Sequence, residues 1–93
     1  MTDVITTPRP KPMIVLREEF DDWALLFNPD TGKAVGLPPT GVTIWKSLTT
    51  GQDYAGVAAA VSAEYEPLPE DLDKDISAFF EDLVRLGYAE YTA

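Results

Sequence analysis

Residues 23–45 read WALLFNPDTGKAVGLPPTGVTIW, and the fold is organised around them. Trp23, Leu25 and Phe27 alternate with Ala24, Leu26 and Asn28, the period-2 spacing of a strand with a buried face. Asn28-Pro29-Asp30-Thr31-Gly32 then supplies turn chemistry: proline presets φ, Asn and Asp bond the local backbone, and Gly tolerates positive φ. Lys33–Leu37 restarts an extended segment, so the two runs are expected to pair as an antiparallel hairpin. Pro38-Pro39 ends the second strand, because proline cannot donate to a ladder and disfavours a helical predecessor. Behind it, Gly41, Ile44, Trp45 and Leu48 fall at i, i+3, i+4 and i+7, one face of a helix. A hairpin feeding straight into a helix that packs back on it is the expected centre of the fold.

Working outward, Met13–Arg17 is a further strand, and the acidic run Glu18–Asp22 returns the chain into Trp23. The three strands Met13–Arg17, Trp23–Asn28 and Lys33–Leu37 form a meander. Its face rich in Trp, Leu, Phe and Val needs a covering layer. Three helices are available. The first spans Pro39–Thr49, with proline in its first turn and Gly51 just past its end. The second runs from Tyr54 to Tyr65 with Asp53 as N-cap, its apolar face being Tyr54, Val57, Ala58, Val61 and Tyr65. The third begins near Pro69 and ends at Leu86 before Gly87, with Leu72, Ile76, Phe79, Phe80, Leu83 and Leu86 as its apolar stripe. Tyr88–Tyr91 alternates and suits a short final strand. The fold class is therefore α+β, a three-stranded antiparallel sheet followed by three helices, a layout that suits a winged helix-turn-helix. Residues 1–12 hold three prolines alternating with Arg9 and Lys11 and read as a flexible Pro-rich arm, leaving 13–93 as the folded domain.

Composition narrows the function. Ninety-three residues allow one modest core and no deep multi-part active site. The chain has neither His nor Cys, which removes the commonest general base, the thiol nucleophile and the best metal ligands. Ser47, Ser62 and Ser77 lie inside expected helices with no base near them in sequence. Seven basic against sixteen acidic residues give a net charge of −9, a surface that repels phosphate backbones. With no membrane-length apolar run and no disulfide, a cytoplasmic chain is expected.

Three motifs resemble sites and are better read otherwise. Asp30-Thr31-Gly32 matches the triplet of dimeric aspartic proteases, but those carry an apolar strand straight into the Asp and a largely β fold. A hairpin turn accounts for the same residues. Asp71, Asp73, Asp75 and Asp82 have EF-hand spacing, yet Ile76 stands where that loop needs Gly. With Glu70, the acids Asp71, Asp73 and Asp75 crowd the first turns of the expected helix, where they complement its dipole. A DNA-reading third helix should be basic, and this one offers only Lys74 and Arg85.

An edge remains. In a chain-order meander Lys33–Leu37 is an outer strand with one unpaired side, a template for another extended chain. Leu72, Ile76, Phe79 and Phe80 are positioned by the helical stripe to wall a groove beside it, or to belong to the core.

In order along the chain, VLREEFDDWALLFNPDTGKAVGL, PTGVTIW, the Asp53–Tyr65 helix ending in EY, and DISAFFEDLVRLGY resemble the PqqD family, the RiPP recognition elements. The resemblance runs from about Met13 to Tyr91. It implies a non-enzymatic domain without a cofactor or metal, which binds the leader of a ribosomally made precursor as an added strand. It also implies presentation of that precursor to a modifying enzyme, often a radical SAM enzyme. Carried onto this chain, the binding strand is Lys33, Ala34, Val35, Gly36 and Leu37. The facing helix positions lie within Leu72, Asp75, Ile76, Phe79, Phe80 and Leu83. Relatives in the family are often fused to larger enzymes, and this chain reads as free-standing. It departs from them at Pro38, where a polar cap is usual, and at Gly56, where a capping-box Glu would follow Asp53. A winged-helix DNA-binding regulator and a structural subunit of an enzyme complex are the alternative readings.

Overall fold

The hairpin forms where the turn chemistry puts it. In the computed structural model, which describes residues 6–18, 23–64 and 72–91, Ala24–Asn28 (β3) and Lys33–Leu37 (β4) pair antiparallel from Ala24↔Leu37 to Asn28↔Lys33. The turn is closed by the Gly32 N–H donating to the Asn28 carbonyl at 2.8 Å. The Asp30 N–H donates to Asn28 Oδ1 at 2.9 Å, and Gly32 takes φ of 74°. Val15–Arg17 (β2) pairs with the other side of β3, so the sheet order is β2-β3-β4. β2 starts later than Met13 because the chain is still turning there: the Ile14 N–H donates back to the Lys11 carbonyl at 3.1 Å. The acidic return at 19–22 lies outside the described residues.

The face of β3 that is covered is not the aromatic one. Ala24 and Leu26 are 1% and 0% exposed, whereas Trp23 is 51% exposed and Leu25 and Phe27 are half-buried on the opposite face. Both rows of β3 are apolar, so alternation alone does not choose between them. The helices select the aliphatic row, which packs with Leu37 and the half-buried Leu16 and Val35.

Pro39–Thr49 (α1) starts at Pro38 with no side-chain cap. It buries Gly41, Ile44, Trp45 and Leu48 as expected, together with Thr43 and Ser47. Those two hydroxyls are satisfied within the protein: Ser47 donates to the Thr43 carbonyl at 3.0 Å, and Thr43 lies within bonding distance of the Pro39 carbonyl and Glu64. Tyr54–Glu64 (α2) is capped by Asp53, whose carboxylate accepts the Gly56 N–H at 3.0 Å, and it buries Val57 and Val61. Leu72–Arg85 (α3) carries Asp73 and Asp75 in its first turn and buries Ile76, Phe80 and Leu83. Its end is a Schellman motif: Tyr88 N–H to Leu83 carbonyl at 2.8 Å and Gly87 N–H to Val84 carbonyl at 3.1 Å, with Gly87 at φ of 87°. Tyr65 and the expected start of α3 near Pro69 lie outside the described residues.

The proline-rich segment differs from the expectation of a separate arm. Arg9–Pro10 (β1) pairs antiparallel with Ala89–Glu90 (β5) as a second, two-stranded sheet, and Pro8 is fully buried. The Lys11 N–H reaches the Tyr88 carbonyl at 3.1 Å, and the Arg9 guanidinium donates to the Gln52 carbonyl at 2.9 Å. Alternate prolines keep the strand extended, which suits it for pairing along one edge.

Tyr54 ties α2 to α3. Its ring meets Phe80 edge-on at 6.5 Å, and its hydroxyl donates to Asp73. Burial, then the hydrogen bond to Asp73 and its negative charge, push the Tyr54 hydroxyl from 10.0 up to about 12. A raised folded-state value means the folded chain keeps a proton that the unfolded chain releases. This contribution is full below pH 10 and is lost as pH rises through about 12. Chemical denaturation of wild type and Tyr54→Phe should therefore show a stability gap that changes across this alkaline window and is constant at neutral pH. A gap independent of pH would rule the linkage out.

Candidate functional site

β4 is the outer strand of the three-stranded sheet and is hydrogen-bonded to β3 on one side. Its other side pairs with no strand among the described residues. β2 is also an outer strand, but it offers three residues where β4 offers five. Along β4, Lys33, Ala34 and Gly36 are exposed, Val35 is half-buried and Leu37 is buried. Strand alternation puts Val35 and Leu37 on the helix-covered face and Ala34 and Gly36 on the outer one. On that outer face Ala34 stands opposite Phe27 and Gly36 opposite Leu25.

The helix candidates divide sharply. Ile76, Phe80 and Leu83 are 1–2% exposed and belong to the core that holds α3 in place. Leu72 and Phe79 are half-buried and Asp75 is exposed. With 3.6 residues per turn, Leu72, Asp75, Phe79 and Leu86 form one row beside the core stripe. Leu86, 50% exposed, was legible as part of the apolar stripe but not as a member of this row. Phe79 anchors the row to the sheet. A Cβ built on Gly41 would lie 3.3 Å from the tip of the Phe79 ring and from Pro38, and 3.4 Å from Leu37 Cβ. Gly41 therefore sits where α3 and the end of β4 come close, and not against the sheet alone.

α3 is held mainly through α2 and β5, and it meets β4 at its Leu37 end rather than along its length. This puts Phe79 of the half-exposed row next to the Leu37 end of β4, and the row carries Asp75 as an exposed carboxylate, while Asp82 is paired with Arg85 at 2.9 Å. The arrangement offers peptide N–H and carbonyl groups along β4 and apolar side-chain contacts at its Leu37 end. Unpaired strand edges of this kind are the sites at which strand addition operates. Among the described residues, no three acidic side chains are grouped so as to hold a metal ion.

The family model described as coenzyme PQQ synthesis protein D (PqqD) matches residues 24–89. Among solved structures, one described as TbiB1 in complex with the TbiA(beta) leader peptide superposes with a TM-score of 0.78 at 26% sequence identity, covering 91% of this chain and 98% of that one. No curated protein matches.

Proposed function

We propose, for a chain that belongs to the PqqD family, that it holds the leader of a ribosomally made precursor peptide and presents the precursor to a modifying enzyme. The carrying observation is the edge of β4 that pairs with no strand among the described residues, with the half-buried Phe79 of α3 at its Leu37 end, in a fold shared with a structure described as a leader-peptide complex. The leader adds as a fourth strand along Lys33–Leu37. One row of its side chains rests on Val35, Leu37 and Phe79. The other crosses the small Ala34 and Gly36 and reaches Phe27 and Leu25. Of the helix positions, Leu72, Asp75 and Phe79 touch the leader, while Ile76, Phe80 and Leu83 support them from the core.

The chain does no chemistry in this reading and needs no cofactor. It supplies effective concentration and position, converting a weak encounter of enzyme and precursor into a nearly intramolecular one. The enzyme is taken to be of the radical SAM class, as the family suggests. The cytoplasm, where such precursors are made, is the proposed place of action. This suits a chain without cysteine in which no described helix is long and apolar enough to cross a membrane.

The test is amide hydrogen exchange with and without a leader peptide encoded beside this chain's gene. In an antiparallel ladder alternate residues point both backbone groups to the same neighbour. Peptide binding should therefore slow exchange at one alternate set in β4, either Lys33, Val35 and Leu37 or Ala34 and Gly36, and leave the other set nearly unchanged. Uniform protection along β4, or none, would rule out strand addition.

A further inference from the structure

A second surface lies on the opposite side of α1 from Gly41. A cavity of about 430 Å³ opens there between α1, α2 and the start of β3, with Trp23, Val42 and Ala60 as apolar wall and Glu18, Lys46 and Glu64 as its charged groups. The two tryptophans of the chain have opposite fates: Trp45 is 2% exposed in the core, whereas Trp23 is 51% exposed at this cavity. A half-exposed indole beside a cavity is the kind of group that anchors protein interfaces.

The charges say what fits. Glu64 accepts the Thr43 hydroxyl at 2.8 Å, which fixes one carboxylate at the wall. Glu18 is paired with Lys46 at 2.7 Å, but both side chains are more than half exposed, so this pair is loosely held and easily exchanged. Two carboxylates against one ammonium leave the cavity net negative, within a chain of net charge −9. An apolar wall ending in carboxylates suits an aliphatic stem with a cationic head, and the Trp23 ring face adds a cation–π surface.

We propose that this cavity docks an arginine or lysine side chain from the surface of the modifying enzyme. The naming of that enzyme rests on the function proposed above; the chemistry of the pocket does not. Because Gly41 and Pro39/Thr43/Lys46 lie on opposite sides of α1, the leader and the enzyme occupy separate surfaces and can be held together.

The full chain, ¹⁵N-labelled, is titrated with Ac-Gly-Arg-Gly-amide up to about 10 mM, the range expected for one captured side chain. The leucine and glutamate versions of the tripeptide serve as probes of charge. The arginine peptide should shift the Trp23 indole N–H and the Val42 and Lys46 amides. Glu64→Gln, which still accepts the Thr43 hydroxyl, should weaken this about two- to five-fold, and Trp23→Ala should abolish the Val42 and Lys46 shifts. Equal response to the leucine peptide, or no response of Trp23 to arginine, overturns the proposal. So does a leader peptide that shifts Trp23 in place of β4. A leader that moves neither surface removes the groove reading alone, since the arginine response is read from different nuclei.

Discussion

Phe80→Ala is expected to bring the chain close to unfolding, whereas Phe79→Ala, one position earlier, should fold and lose most of its affinity for a leader peptide. Phe80 is 1% exposed and meets the Tyr54 ring edge-on, so truncation leaves a cavity between α2 and α3. Such a change costs about 3–5 kcal/mol, against a total stability of about 5–15 kcal/mol that a small domain holds at the low end. At this size each kcal/mol lowers the melting temperature by about 4–8 °C. Phe79 is half-buried, with its ring tip packed near Gly41, Pro38 and Leu37. Its loss should cost about 1–2 kcal/mol of stability. If it forms the floor under the leader, affinity falls about ten- to a hundred-fold, or roughly 1.4–2.8 kcal/mol. Calorimetry for both variants separates the two effects. Unchanged leader affinity in a folded Phe79→Ala would remove the α3 wall from the site.

Gly41→Leu should close the groove while keeping the fold. The position is the third residue of α1, and the space where a Cβ would stand is bounded at 3.3–3.4 Å by Phe79, Pro38 and Leu37. Alanine there gains about 1 kcal/mol of helix propensity, which works against the crowding of its Cβ: the free end of the Phe79 ring can yield by a small shift, whereas Pro38 Cδ and Leu37 Cβ are held by the backbone. Leucine adds three more carbons, and the same ring must then move out toward β4. Overpacking of this kind costs about 1–3 kcal/mol. Leader binding should fall at least ten-fold with leucine and little with alanine, with both variants melting cooperatively. A leucine variant that binds normally would show that Phe79 does not border the leader.

Much of this architecture was legible in the sequence because several local signals agreed. Asn28 to Gly32 could hardly be other than a turn, Pro38-Pro39 fixed where β4 stops and α1 starts, and Gly87 marked the end of α3. The edge position of β4 followed from chain order. Three things were not legible, each for a physical reason. β3 is apolar on both rows, so which row is buried depended on the shape of the helices laid against it; Ala24 and Leu26 went inside and Trp23 stayed out. The stripe of α3 is wider than the core needs, and spacing alone does not separate Phe79 from Phe80, 1% exposed beside a half-buried neighbour. Finally, Arg9–Pro10 pairs with Ala89–Glu90 across almost the whole length of the chain. A two-residue ladder between distant segments leaves no periodic trace in either.

That ladder also settles how the domain can be tethered. Arg9 and Glu90 stand directly opposite one another, within about 5.5 Å between Cα atoms as antiparallel partners do. The two ends of the folded unit therefore share one handle. A larger protein joined through either end would reach the domain on the side of the β1–β5 ladder.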